Sequence, residues 1–422
     1  MNVMTRAWVS TLLAFAPMSA MAQGDPHSVT TPGLTLEAAT ARALAGSLSL
    51  QISQADALAA RGRRLQAGVR PNPVLALDAE NLAASRRAEV TVRGTQRLEL
   101  GGKRSARAGF ADFDVLAARS AAAAESLVVR AETLRLYAEA QASAAATGIA
   151  RQSVRIAEEL AEAVARKVTA GAVSPAEAAR ASVELANARL EMSEAVSEAA
   201  LAEARLSSLW GAATLSGAAL APIPEQLPAP AQATLSADAP TSPAIAAIEA
   251  RVGGAERNLR LQKALGTPDL EVAAGVRSGP DGDQPSYVAG VSIPLPLFDR
   301  NAGHVATAAA ELTRARAELD RALRLRALEI AEGRGALERA RARREALHRE
   351  VLPAAHRAYE EVLAGYLRGR FDYVDVLDAR RTMIAASRAE LEAYVDHAAA
   401  MARLEIALGG TASLLDRKDG RP

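Results

Sequence analysis

The sequence predicts a mainly α-helical chain that carries two pairs of β-strands and is organised as two tandem halves. Three observations predict this class. The residues are 50% hydrophobic but only 3% aromatic. Alanine therefore supplies the apolar content, and Ala with Leu, Glu and Arg is the vocabulary of long, closely packed helices rather than of an aromatic-rich globular core. The helical pattern then runs from about Lys103 to Ala170 and again from about Ala302 to Leu367, in each case roughly 65 residues or about 100 Å at 1.5 Å per residue. Finally, the landmarks recur. The pattern breaks at Thr169-Ala170-Gly171, restarts at Ser174-Pro175 and ends at Leu209-Trp210-Gly211. It breaks again at Leu367-Arg368-Gly369, restarts near Asp372 and ends at Ala407-Leu408-Gly409. Gly171 and Gly369 are 198 positions apart, as are Gly211 and Gly409. That period is too long for a solenoid unit and describes two halves, each helix–strand–strand–long helix–returning helix.

The elements follow in chain order. Arg6 forms a short basic region, Trp8 to Pro17 is apolar, and Ala20-Met21-Ala22 fits a small-x-small cleavage site. Residues 1–22 therefore read as a signal peptide, leaving Gln23 as the mature N-terminus. The apolar stretch is too short to span a membrane, and no later stretch is long enough. The first half occupies residues 23–221, with strands at about 73–80 and 89–100. A Pro-rich connector covers 222–243, without periodicity and with repeated helix breakers. The second half covers 244–410, with strands at about 269–277 and 286–297, and residues 411–422 form a tail. Ile156, Leu160, Val164 and Val168 make an i,i+4 apolar stripe on the first long helix. Pro353 predicts a kink in the second.

The strands alternate strictly. Val90, Val92, Leu98 and Leu100 share one face, and Thr91, Arg93, Thr95, Arg97 and Glu99 the other. Leu270, Val272, Ala274 and Val276 alternate with Asp269, Glu271 and Arg277, and Tyr287, Ala289, Val291, Ile293 and Leu295 with Ser286, Gly290 and Ser292. On periodicity alone, a half-buried sheet in a soluble domain is the stronger reading. A wall between lipid and water fits the same pattern. Four strands cannot close a barrel, and open edges are not tolerated in lipid, so the membrane reading requires oligomerisation.

Several chemistries are excluded. Zero cysteines rule out disulfides, thiolate metal sites, cysteine nucleophiles and a lipid-anchor cysteine. The balance of 50 basic against 49 acidic side chains supplies no field for nucleic acid. Gly101-Gly102-Lys103-Arg104 lacks the remaining residues of a phosphate loop. The five histidines show no ligand spacing, and His348 and His356 read as solvated or packing residues. No nucleophile elbow exists and Asp281-Gly282-Asp283 is no calcium loop, so the chain reads as a non-enzyme without cofactor or resident metal.

The tandem halves, the strand pairs and the tips Ala165–Ser174 and Gly365–Asp378 resemble the TolC-type outer-membrane efflux proteins. Leu352-Pro353-Ala354-Ala355 and Ile293-Pro294-Leu295-Pro296-Leu297-Phe298-Asp299-Arg300 are similar to the heavy-metal, CzcC-like branch. The resemblance covers about Leu36 to Gly410. It implies a homotrimer in which each protomer gives four strands to one 12-stranded barrel in outer-membrane lipid, above a periplasmic α-helical tunnel. It implies a passive exit duct, reached through a periplasmic adaptor (a membrane fusion protein) from a proton-driven, RND-type inner-membrane pump, with heavy-metal cations as cargo. A duct for organic compounds or secreted protein is the nearest alternative, and a soluble periplasmic coiled-coil adaptor a remote one. The adaptor-docking role falls by resemblance on Gly171, Ala172, Val173 and Ser174, and on Gly369, Arg370, Phe371 and Asp372. The periplasmic constriction falls on Asp375 and Asp378, which at i,i+3 share one helix face, with Tyr366 as the latch tyrosine. A pair of helix-start charges is the competing reading of the aspartates. The family's latch arginine position is Phe371 here, so that network does not carry over intact.

Overall fold

The computed structural model describes residues 33–80, 89–215, 219–224, 242–278 and 284–410. The predicted signal peptide, most of the Pro-rich connector, the tail and the tips of both strand loops lie outside the described residues.

Each half opens with helix and passes through two strands into a long helix and a returning one. The first half holds α1 (Leu36–Gly46), α2 (Leu48–Ala67), β1 (Val74–Glu80), β2 (Glu89–Leu98), α3 (Lys103–Thr169) and α4 (Pro175–Ser208). The second holds α5 (Pro243–Leu265), β3 (Leu270–Ser278), β4 (Ser286–Ser292), α6 (Ala302–Ala346), α7 (Leu352–Leu367) and α8 (Tyr373–Leu408). Between α6 and α7 the chain makes a π-helical turn, Leu347–Val351, which ends two residues before Pro353. A proline cannot donate to the preceding turn, and the interruption expected at Pro353 takes the form of this wide turn. The opening helix of the first half is also divided. Ser47 ends α1 and caps α2, its Oγ accepting from Leu50 N–H at 3.3 Å.

Two strand ends differ from expectation. β4 stops at Ser292 rather than 297, because Pro294 and Pro296 have no N–H to give to a ladder. β2 stops at Leu98 rather than 100. The N–H of Leu100 turns to the Asp269 carboxylate at 3.3 Å instead of a strand.

The four strands form one antiparallel sheet in the order β1-β2-β3-β4, so β2 against β3 joins the two halves. In this register Leu77, Val92, Val276 and Tyr287 lie across one face, and Asp78, Thr91, Arg277 and Ser286 across the other. The apolar face is open, with Leu77 70% and Tyr287 85% exposed. On the polar face Arg93 pairs with Asp78 at 3.2 Å, Arg97 with Glu271 at 3.1 Å, and Arg277 Nε donates to Thr91 Oγ1 at 3.3 Å. β1 and β4 are free edges.

Below the sheet α3 is the central helix, packed on α1, α2, α4, α5 and α8, while α8 also packs on α6 and α7. Alanine dominates the interior because it lets helix backbones approach closely: Ala39, Ala60, Ala140 and Ala393 are fully buried. The stripe Ile156, Leu160 and Val164 is buried, and Val168 packs at the margin of the cluster it forms with Tyr359, Tyr366, Tyr373 and Val376 of the other half.

Candidate functional site at the helical tips

The reversals after α3 and α7 have the same backbone. After α3, Gly171 N–H returns to the Val168 carbonyl at 2.9 Å and Ala172 N–H to that of Lys167 at 2.9 Å. After α7, Gly369 N–H returns to Tyr366 at 3.0 Å and Arg370 N–H to Gly365 at 2.8 Å. These are paired C-terminal caps that need a left-handed residue, and Gly171 and Gly369 have φ of +71° and +76°. A Cβ on either glycine would meet nothing within 4 Å. Glycine is therefore required by backbone conformation and not by crowding. Ser174 then caps α4, its Oγ accepting from Ala176 N–H at 3.2 Å, with Pro175 at the first helical position. Gly171, Ala172, Ser174, Gly369, Arg370 and Asp372 are exposed, and Val173 is half-buried on the tip core.

The aspartates have distinct surroundings. Asp375 Oδ2 accepts the N–H of Asp372 at 3.0 Å, closing the first turn of α8. Asp378 is exposed on the same helix face and makes no side-chain hydrogen bond that would cap the helix. The helix-start role therefore belongs to Asp375.

Tyr366 lies inside the protomer, 2% exposed, its ring 6.0 Å from that of Tyr373 at an interplanar angle of 54°. Its hydroxyl is buried without a partner. Burial, then the nearby Glu177 carboxylate, raises its pKa, and burial followed by Glu184 pushes Tyr373 up to about 12. The groups holding this region together were not singled out in the sequence. Lys167 Nζ donates to the Tyr366 carbonyl at 2.8 Å and sits 3.7 Å from the Tyr366 ring centroid. Phe371 lies on α7 because residue 365 is glycine; a Cβ there would fall 2.2 Å from the ring. Higher up, the buried Arg380 donates to Ser153 Oγ at 2.7 Å and lies 3.5 Å from Glu184, which also pairs with Arg381. One signal could have found Lys167: it stands 199 positions before Tyr366, almost the repeat distance.

Among the described residues no group of three or more His, Asp or Glu could hold a metal ion. His348 pairs with Glu390 at 3.1 Å at the surface. Among the described residues the tip is built from caps, rings and ion pairs.

Comparison with known proteins agrees with this geometry. The family described as outer membrane efflux protein matches residues 39–212 and 239–410, one match to each half. The cobalt-zinc-cadmium resistance protein CzcC of Cupriavidus metallidurans is 32% identical over 382 residues, covering 88% of this chain and 91% of that protein. The nickel-cobalt-cadmium resistance protein NccC of Alcaligenes xylosoxydans is 26% identical, covering 71% and 69%. Among solved structures, the outer membrane protein VceC of Vibrio cholerae superposes with a TM-score of 0.75 at 21% identity, over 89% of this chain and 96% of that one. CusC does so with 0.73 at 17%, over 89% and 92%. Two family matches that fall on the two structural halves, and a relative aligned almost end to end, make this chain a member of the outer membrane efflux protein family and not an enzyme.

Proposed function

We propose that three copies of this chain assemble into an outer-membrane exit duct for heavy-metal cations. The observation that carries this reading is the sheet: four antiparallel strands with two free edges, one open apolar face and one face of paired charges. Such a sheet is satisfied in lipid only when its edges are paired, and three copies give twelve strands around a polar lumen. α3 with α4, and α6–α7 with α8, hang below as two hairpins per copy, long enough to reach well into the periplasm. Their tips, Gly171 to Ser174 and Gly369 to Asp372, receive the periplasmic adaptor, which connects the duct to an energised inner-membrane pump. The duct does no work itself. Asp378, with Asp375, turns a carboxylate ring toward the narrow periplasmic mouth and favours cations there. Cobalt, zinc and cadmium are the proposed cargo, supported by the names of the relatives.

The test is deletion and complementation in the native host. Loss of the chain should lower tolerance to cobalt, zinc or cadmium and raise their cell content, and the plasmid-borne gene should restore both. The mature protein should fractionate with the outer membrane and migrate as a detergent-stable trimer. Unchanged metal tolerance with lost tolerance to organic compounds would move the cargo assignment, and a water-soluble periplasmic monomer would end the duct reading.

A further inference from the structure

Four linkers join the sheet to the helices: residues 68–73, 99–102, 266–269 and 293–301. They stand in a row. Arg107 donates to the carbonyls of Ala67 at 3.1 Å and Val69 at 3.2 Å, and Gln96 to that of Pro71 at 3.0 Å, tying the first linker to the second. Lys103 pairs with Asp269 at 2.6 Å, and Thr267 stands so close to Gly101 that a Cβ there would lie 2.7 Å from its Oγ1, tying the second to the third. Asn301 Nδ2 donates to the Gln262 carbonyl at 2.7 Å, and Gly266 abuts the Arg300 carbonyl, tying the third to the fourth. The first and fourth are the open ends of the row.

Both open ends are apolar. In the fourth linker Leu297 N–H folds back on the Leu295 carbonyl at 2.9 Å around Pro296. This tight turn leaves Leu295 70%, Leu297 66% and Phe298 99% exposed. At the first linker Leu65 is 76% and Val69 48% exposed. A fully exposed Phe beside two exposed leucines is a surface that water does not stabilise.

We propose that the foot Leu295–Phe298 of one copy docks on Leu65 and Val69 of the next copy, fastening the base of the barrel. The inference rests on the trimeric reading above. Val74 pairs with Thr95, Leu270 with Leu98, and Ser292 with Glu271, so β1 begins and β4 ends at the same end of the sheet. Any antiparallel seam between β4 and the next copy's β1 therefore brings residues 293–298 beside residues 65–73. The chain also contains an internal counterpart of this seam. Leu100 and Leu297 are 197 positions apart, as are Arg70 and Thr267, and the second and third linkers already meet within one copy. That internal junction is tight and polar, through Gly101, Thr267, Lys103 and Asp269. The junction between copies is the apolar version, with Pro296 and Phe298 where the first half has Glu99 and Gly101.

The chain has no cysteine, so Val69→Cys with Phe298→Cys in the full chain places a unique pair across each seam. A short bis-maleimide added to membranes should give covalent dimers and trimers on denaturing gels, while either single variant stays monomeric. A trimer that forms natively but does not cross-link through this pair overturns the docking and leaves the barrel intact. A second measurement replaces Phe298 by Trp in a Trp210→Phe background, the other tryptophan, Trp8, lying in the predicted leader. In brominated phospholipid, blue-shifted and unquenched emission supports a protein partner. Strong quenching means acyl chains cover the foot and overturns the proposal, as does red-shifted unquenched emission from a foot left in water. A chain that forms no trimer overturns the barrel reading and this inference with it.

Discussion

Lys167 and Tyr366 stand one residue out of correspondence in the two halves, and they touch: the ammonium donates to the tyrosine's carbonyl at 2.8 Å and lies 3.7 Å from its ring centroid. One side chain thus ties the descending helix of the first hairpin to the end of the descending helix in the second. A cation over a ring and a charge-assisted hydrogen bond contribute on the order of 1–3 kcal/mol together in a half-buried place. Lys167→Met keeps the stem but removes both contacts. It is expected to loosen the tips, seen as larger single-channel conductance in planar bilayers and faster proteolysis near Gly369. Lys167→Arg should keep the conductance of the unsubstituted protein, and equal conductance for all three proteins would show that this contact does not govern the opening.

Arg380 and Glu184 form a largely buried ion pair between the hairpins. Removing one partner from such a pair typically costs about 3–5 kcal/mol, because the other charge stays desolvated. Glu184→Leu should therefore lower the thermal midpoint strongly. Arg380→Met with Glu184→Leu should recover much of the loss, since no charge is then left buried. A double variant as unstable as the single one would show that Ser153 and the local packing, not the pair, set the stability.

Gly369 is required by its φ and not by crowding, which separates folding from docking. Asn tolerates the left-handed region, whereas a β-branched residue loses roughly 1–2 kcal/mol there. Gly369→Asn should keep the trimer and the turn, so any drop in metal tolerance or adaptor cross-linking reports the docking surface. Gly369→Val is expected to fray α7 as well. Full metal tolerance in both would remove this tip from the docking site.

Asp375 and Asp378 should respond differently to substitution. Asp375→Ala removes the acceptor for Asp372 N–H and should cost about 1 kcal/mol of helix stability. Asp375→Asn keeps an acceptor and should not. Asp378→Asn is expected to lower cation selectivity and multivalent-cation block in planar bilayers at unchanged thermal stability. If selectivity instead follows position 375 alone, the ring at the mouth is built from the helix cap.

His397 gives the fold a pH dependence of known sign. Burial first, then the charges of Arg344 and Arg341, lower its pKa to about 4. The unfolded chain takes up the proton near the ordinary value of about 6.5, so between these values the unfolded state binds more protons. This contribution to stability is present above pH 6.5 and is lost as pH falls toward 4. Thermal midpoints should decline across that window, and His397→Gln should flatten the decline. An unchanged slope would assign acid sensitivity to other groups.

The long elements and strand faces were legible because they rest on periodicity, which is local. The bounds of α3 and β1, the alternation in β2 and β3 and the two tip glycines are written in single stretches of chain. Strand ends were legible only in part: Pro294 and Pro296 were visible, but their effect is to withhold hydrogen bonds from a neighbour, which a pattern of apolar side chains does not encode. The tip contacts were the least legible. Lys167 reads as one more charge on a helix, and only the meeting of two segments nearly 200 residues apart turns it into a clasp. Arg380 likewise reads as a solvated charge until Ser153 and Glu184 close over it.

The wide turn Leu347–Val351 sets the angular phase of everything beneath it. Each residue of an α-helix advances the azimuth by roughly 100°, and a π-turn holds one residue more than an α-turn over nearly the same rise. The turn therefore absorbs one residue, and α7 keeps the angular phase of α6 while its inward positions shift by one along the sequence. The upper part turns Gly333, Leu337 and Ala340 inward, and the lower part turns Ala355, Tyr359 and Tyr366 inward. Excising one residue from this turn would close it to an ordinary α-turn and leave Tyr366 on Lys167, whereas forcing the same extra residue into α-helical geometry would swing Tyr366 away and disable the tip from more than a dozen residues away.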